Sequence, residues 1–113
     1  ENMGYFYLII AIIGEVVGTL SLKSSNGFTA ITPSILVIVG YGVAFYFMIL
    51  SMKTIPVAIT YSIWSGVGIA AVTFIASMKF NEKPDIFAFI GLSFIIIGII
   101  ILVSLSKMGA KIS

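Results

Sequence analysis

The chain of 113 residues contains no cysteine, no histidine and no arginine. Without cysteine there is neither a disulfide framework nor a thiol nucleophile, and without histidine there is no Ser-His-Asp triad and no ordinary zinc site. Most enzyme chemistry is excluded by this inventory, so no enzyme activity and no cofactor is expected. Charge is scarce as well, at 9% of residues against about 25% in a soluble globular domain. Such a surface cannot be kept in water. Six lysines against four acids leave a net charge of +2 without an arginine-rich patch, and no nucleic-acid partner is expected. What the chain has in quantity is apolar: 60% of residues are hydrophobic and the mean hydropathy is +1.24. The expected class is a membrane protein, with the lipid bilayer as its solvent.

The ten charges are Glu1, Glu15, Lys23, Lys53, Lys79, Glu82, Lys83, Asp85, Lys107 and Lys111. Between them lie four apolar runs, at about residues 4–22, 34–52, 57–78 and 86–105, forming one four-helix transmembrane domain over 1–113. Each run is about twenty residues, or about 30 Å of helix, which spans a bilayer. Transmembrane strands would alternate polar and apolar residues, and Ile95-Ile96-Ile97-Gly98-Ile99-Ile100-Ile101 does not. The fold class is therefore all-α. The three prolines, Pro33, Pro56 and Pro84, are expected just ahead of spans two, three and four, where a missing N–H costs nothing. The connections are short, so neighbouring helices are antiparallel. The first run carries Glu15 and lacks a basic leader, so it is expected to be a permanent span rather than a signal peptide. Glu1 and Asn2, ahead of Met3, are expected to be a cloning remnant and are left out of the topology.

With four spans, the N-terminus, the Lys53 connection and the C-terminal tail share one side, which carries Lys53, Lys107 and Lys111. The opposite side carries Lys23, Lys79 and Lys83. The lysine difference that sets orientation is zero, so insertion in both directions is expected, against a fixed orientation set by proximity of lysines to the span ends.

Glu15 is the one ionisable acid or base inside a span. A charge there costs several kcal/mol at about the level of insertion scales, and it needs a reason. Lys23, the nearest cation in sequence, is eight residues on, about 12 Å along a helix. An unpaired carboxyl of this kind is neutral when dry and ionised when a cation or water arrives, which makes it a proton and cation site. The plainer reading is a protonated Glu that bonds another helix. One turn away lie Ala11, Ile12, Gly18 and Thr19, with Leu8 a turn further. Thr19 either hydrogen-bonds the carboxyl or satisfies its own backbone. Gly14 and Gly18 make a GxxxG, read mainly as a close-packing device.

Span three carries Tyr61 and Trp64 on one face, with Gly66 and Gly68 beyond. Trp64 lies deeper than an interfacial anchor, and π faces beside a carboxylate suit an organic cation; the alternative is ordinary packing. Gly66 and Gly68 serve as a hinge or as a close helix contact. Gly91 and Gly98 lie seven apart on one isoleucine-flanked face, read as packing between subunits. Four helices are too few to enclose and seal a path for a sizeable solute, so a second copy is expected. If chains insert both ways, an antiparallel dimer brings two Glu15 side chains near the midplane.

Several stretches together resemble the small multidrug resistance family of bacterial proton-coupled exporters, over Gly4 to Ser106. They are Gly14-Glu15-Val16-Val17-Gly18-Thr19, Leu22-Lys23-Ser24, Gly27-Phe28-Thr29, Pro33-Ser34, Tyr41 to Phe45, Ile55-Pro56, Ala58 through Gly68, and Gly91 with Gly98. The resemblance implies an antiparallel, dual-topology homodimer in the bacterial cytoplasmic membrane, with Glu15 as the shared proton and substrate site. It implies a binding chamber of Thr19, Tyr41, Phe45, Tyr61 and Trp64, with Tyr5, Leu8, Ala11, Ile12 and Gly18 near it, and a fourth-helix dimer contact at Gly91 and Gly98. The guanidinium-exporting type resembles a site with Gly three residues before the Glu and Trp three after, where this chain has Ile12 and Gly18. The resemblance therefore favours export of quaternary-ammonium and hydrophobic cations. Asn26, Lys79, Asn81 and Pro84 depart from the family pattern in the connections. The alternatives are a guanidinium or polyamine exporter, a rotary-ATPase proteolipid, and a non-transporting accessory membrane protein.

Overall fold

The structure is a computed structural model and describes residues 3–106. Glu1, Asn2, Lys107 and Lys111 lie outside the described residues, as does the cloning-remnant expectation for the first two. Four α-helices follow in order: α1 Met3–Ser24, α2 Ile31–Ser51, α3 Val57–Lys79 and α4 Ile86–Ser104. All four are long and apolar enough to cross a membrane, and no strand occurs among the described residues. Lipid offers no hydrogen bonds to a bare backbone, so runs this apolar satisfy their N–H and C=O groups internally, β-branched or not.

The helix starts follow from local chemistry. Asp85 caps α4, its carboxylate accepting from the Ala88 N–H at 2.9 Å. Pro56 is the residue ahead of α3, and Pro84 precedes the Asp85 cap. Pro33 differs from expectation. The second helix begins at Ile31, so Pro33 lies within its first turn rather than ahead of it. The cost is the same, because first-turn N–H groups have no intrahelical acceptor. Between α1 and α2 the backbone turns through left-handed conformations at Asn26, Gly27 and Phe28. Buried Ser25 ties that turn together: its hydroxyl donates to Leu22 O at 2.8 Å, and its carbonyl accepts from the N–H groups of Thr29 and Ala30. Left-handed Asn81 ends α3, while the Glu82 N–H reaches back to Ala76 O.

Helix α1 packs most extensively on α2 and next on α3, and α4 packs on α3. The core is small: Leu8, Ala11, Val16, Val37, Ala44, Ile55, Ile59 and Ala76. No residue of α4 is buried. In lipid, apolar exposure costs little, so helices associate through close van der Waals contact rather than a drive to leave solvent. The α1 to α2 contact shows how this is done. A Cβ on Gly14 would stand 2.7 Å from Gly40 O, and a Cβ on Gly40 would stand 2.7 Å from Gly14 O and 2.8 Å from Gly18 N. The Gly14 and Gly18 pair is thus the notch into which the α2 backbone fits at Gly40.

Gly14→Ala should therefore lower thermal stability in detergent relative to Gly42→Ala, whose Cβ would meet nothing within 4 Å. Both changes gain the same helix propensity, so the difference isolates overpacking of about 1–3 kcal/mol. Equal melting temperatures for the two variants would contradict the notch.

Candidate functional site

The site is built on α1 around Glu15. A helical turn places Thr19 beside it, and the Thr19 hydroxyl donates to Glu15 Oε2 at 2.8 Å. The two readings of Thr19 are thereby separated in favour of the carboxyl. On the other side of Thr19, 2.6 Å away, lies the Tyr41 hydroxyl from α2. Gly18 makes this approach possible, because a Cβ there would stand 3.1 to 3.2 Å from the Tyr41 ring.

The second carboxyl oxygen has different surroundings. Glu15 Oε1 is buried without a hydrogen-bond partner. It presses on α3 at Gly68, where any Cβ would collide with it. The neighbouring Gly66 is equally filled, from the other side, by the Ile99 side chain of α4. The α3 helix runs unbroken through both glycines, which act in this arrangement as close contacts on opposite faces. Glu15 has no ion pair among the described residues. Lys23 is turned away to Glu82, with which it forms an exposed salt bridge, and lies 5.0 Å from the centre of the Phe80 ring.

A cavity of about 320 Å³ opens beside the carboxyl, which is the lower end of the size of a small-molecule site. Its α1 wall is Glu15 and Thr19, and its α3 wall is Trp64, Ser65, Gly68, Ile69, Val72 and Thr73. The Trp64 Nε1 is buried without a partner, as Glu15 Oε1 is. From Trp64 an aromatic row continues outward. Tyr61 lies 5.7 Å from it, Phe45 6.1 Å on the α2 side, and Tyr41 stacks on Phe45 at 6.2 Å. Tyr61 and Phe45 are 56% and 50% exposed, so their faces are open to a ligand or a second chain.

The remaining residues expected near the chamber fall outside the cavity wall. Leu8 and Ala11 are 1% and 0% exposed and belong to the packed core, and with Tyr5 and Ile12 they do not line the cavity. Gly18 supports Tyr41 rather than facing the cavity. Tyr41, Phe45 and Tyr61 extend the aromatic row and do not line the cavity either. Gly91 and Gly98 face open space, with nothing within 4 Å of an added Cβ. Ser65, Ile69, Val72 and Thr73 are wall residues that the sequence did not single out. Val72 and Thr73 continue the Trp64 and Gly68 stripe by about one helical turn, but nothing in the chemistry of these four marks them until Glu15 stands opposite.

An apolar four-helix membrane protein whose one intramembrane carboxyl faces a cavity walled in part by a tryptophan belongs to the class of multi-pass proteins with an internal ionisable site. Comparison with known sequences makes this particular. The profile of the Small Multidrug Resistance protein family matches residues 3–97. The chain is 48% identical over 107 residues to the quaternary ammonium compound-resistance protein QacE of Escherichia coli, covering 95% of this chain and 97% of that one. It is 50% identical over 93 residues to a putative ethidium bromide resistance protein of Salmonella typhimurium, covering 82% and 81%. With QacC, a quaternary ammonium compound-resistance protein of Staphylococcus aureus, identity is 39% over 98 residues, covering 87% and 92%. The chain belongs to the small multidrug resistance family and is a multi-pass protein of the bacterial cytoplasmic membrane. That is a family of resistance proteins, not of enzymes.

Trp64 is the sole tryptophan, so intrinsic indole emission reports this cavity alone. At one fixed neutral pH, Glu15→Gln should shift that emission while Glu82→Gln leaves it unchanged. Equal emission from wild type and Glu15→Gln would show that Trp64 does not sense Glu15.

Proposed function

We propose that the chain is a proton-coupled antiporter that exports hydrophobic and quaternary-ammonium cations, working as an antiparallel homodimer. The observation that carries this is the state of Glu15: one oxygen held by Thr19, the other buried and unpartnered beside a cavity that Trp64 walls. An orphaned buried carboxylate oxygen is costly, and either a proton or a cation relieves the cost. Protonation makes the group neutral and lets α3 rest against it at Gly68. A cation instead needs α3 to withdraw from Glu15, and the Gly66 and Gly68 pair is the hinge for that withdrawal. Proton and cation thus favour different separations of α1 and α3, and a coupling between them follows.

The π faces of Trp64, Tyr61 and Phe45 attract positive charge without demanding one shape, which supports a broad range of bulky cations. The names of the relatives point the same way, since they refer to resistance to quaternary ammonium compounds and to ethidium bromide. Guanidinium and polyamines, which are small or extended and strongly hydrated, are the weaker reading for this apolar wall.

A cavity of about 320 Å³ within one chain is tight for such ligands, and a second copy enlarges it. The even lysine division supports insertion in both orientations, hence an antiparallel pair with two Glu15 side chains. The open faces of Gly91 and Gly98 on unburied α4 are the proposed contact between the two chains. Alternating access then consists of exchange between two conformations of the pair.

In vesicles reconstituted with the protein, Glu15→Gln should lower pH-driven uptake of a quaternary ammonium cation by about a hundredfold or more, the scale of losing an essential proton-transfer group. Glu15→Asp should retain uptake with a displaced pH optimum. Uptake undiminished in Glu15→Gln would sink the antiporter reading, and preference for guanidinium over quaternary ammonium in the same vesicles would replace it with the smaller-cation one.

A further inference from the structure

The two oxygens of Glu15 face different parts of the protein, and with the carboxyl ionised the donor order around one of them follows. Thr19 has a single hydroxyl hydrogen, which it gives to Glu15 Oε2 at 2.8 Å. The 2.6 Å contact between Thr19 and Tyr41 must then use the hydrogen of Tyr41. The chain of donation runs from Tyr41 to Thr19 to Glu15, across two helices.

We propose that Tyr41 and Thr19 are a proton path to Glu15 Oε2 that enters from α2, the helix that contributes nothing to the wall of the cation cavity. The proposal rests on the antiporter reading above and deepens it. That order, the one of the ionised carboxyl, is what an outgoing proton leaves behind. In the protonated state the Glu15 hydroxyl donates to Thr19, Thr19 to Tyr41, and Tyr41 outward to water. On release, the Glu15 proton passes to Thr19 Oγ1, the Thr19 hydrogen to the Tyr41 oxygen, and the Tyr41 hydrogen to water. One proton leaves, one O–H bond forms for each that breaks, and both hydroxyls end neutral. Loading is the same sequence reversed, starting from the polarity of the ionised state and requiring no hydroxyl to rotate.

Three features of the fold support a dedicated route. The cavity beside Glu15 is lined by α1 and α3 alone, while Tyr41 reaches Thr19 from α2. Gly18 lets the Tyr41 ring lie against α1, and stacking on Phe45 holds that ring in place. Among the described residues, Thr19 is the hydrogen-bond partner of the Glu15 carboxyl, and Lys23 is engaged elsewhere by Glu82. The consequence is mechanistic. A proton arriving from the α2 side does not wait for the cation to vacate the cavity; it neutralises the carboxylate and so releases the cation.

The test is pH-driven uptake of tetraphenylphosphonium into vesicles containing wild type, Tyr41→Phe, Thr19→Val or Thr19→Ser. Tyr41→Phe keeps the ring and removes only the hydroxyl. It should lower the maximal rate about tenfold, within the range of a lost proton-transfer group, while changing KM less than about twofold. Thr19→Val should be slowed at least as much, and Thr19→Ser should recover most of the wild-type rate. A Tyr41→Phe variant with the wild-type rate, or one whose loss lies mainly in KM, would overturn the relay while leaving the antiporter reading intact. Wild-type vesicles that take up no cation would overturn the antiporter reading and the relay with it.

Discussion

The arrangement of this structure depends on a carboxyl group that no basic side chain among the described residues neutralises. Glu15 sits among apolar neighbours in α1, with Thr19 the polar side chain one turn away. Its charge therefore has to be managed by whatever reaches it, and the protein supplies only one hydroxyl, on Thr19. The remaining oxygen is left without a partner. In a soluble enzyme, water would enter to satisfy such a group. In this structure that oxygen has no such partner among the described residues, which is the basis of the function proposed for it.

That arrangement is made by glycine more than by polar chemistry. Gly14 and Gly40 let α1 and α2 approach until backbone touches backbone, and Gly18 accepts the face of Tyr41. Gly68 does the same for the carboxyl itself, and Gly66 for Ile99 behind it. Each removes the one atom that would hold neighbouring helices apart. Because apolar surface gains little by leaving lipid, such contacts are the main means of fixing helix positions, and small residues appear where the site needs them. The positions of the hydroxyl pair and the aromatic row are consequences of this spacing.

The fold class and the centre of the site are legible in the sequence for the same reason: in lipid, charges are so costly that their placement reads as topology. Nine of the ten charges lie at span boundaries or termini, and the one left inside is Glu15. Trp64 and Tyr61 are legible because helical spacing puts them on one face. The relation between helices is less so. Nothing in the spacing of α1 says that Gly18 supports Tyr41, or that Leu8 and Ala11 are core, because those facts belong to how α2 and α3 lie on it. The stripe from Ser65 to Thr73 is hidden for a similar reason, since its hydroxyls and aliphatics look like any apolar helix until Glu15 stands opposite. Pro33 marks the start of α2 only to within a turn, since a first-turn proline and one just outside cost the same.

The least constrained helix is also informative. In α4 no residue is buried, and its two glycines face open space, whereas the other glycine positions inside the helices, Gly42 excepted, are filled by neighbours. Lipid tolerates such exposure, so it is no argument by itself for a partner. The argument lies in the contrast: this chain uses glycine where another helix must come close, and the notches on α4 meet nothing within the chain. A helix contact at Gly91 and Gly98 would extend the rule that holds at Gly14, Gly40, Gly66 and Gly68. It would also anchor a pair through α4, on the far side of α3 from Glu15, leaving α1 and the face of α3 beside the carboxyl free to separate.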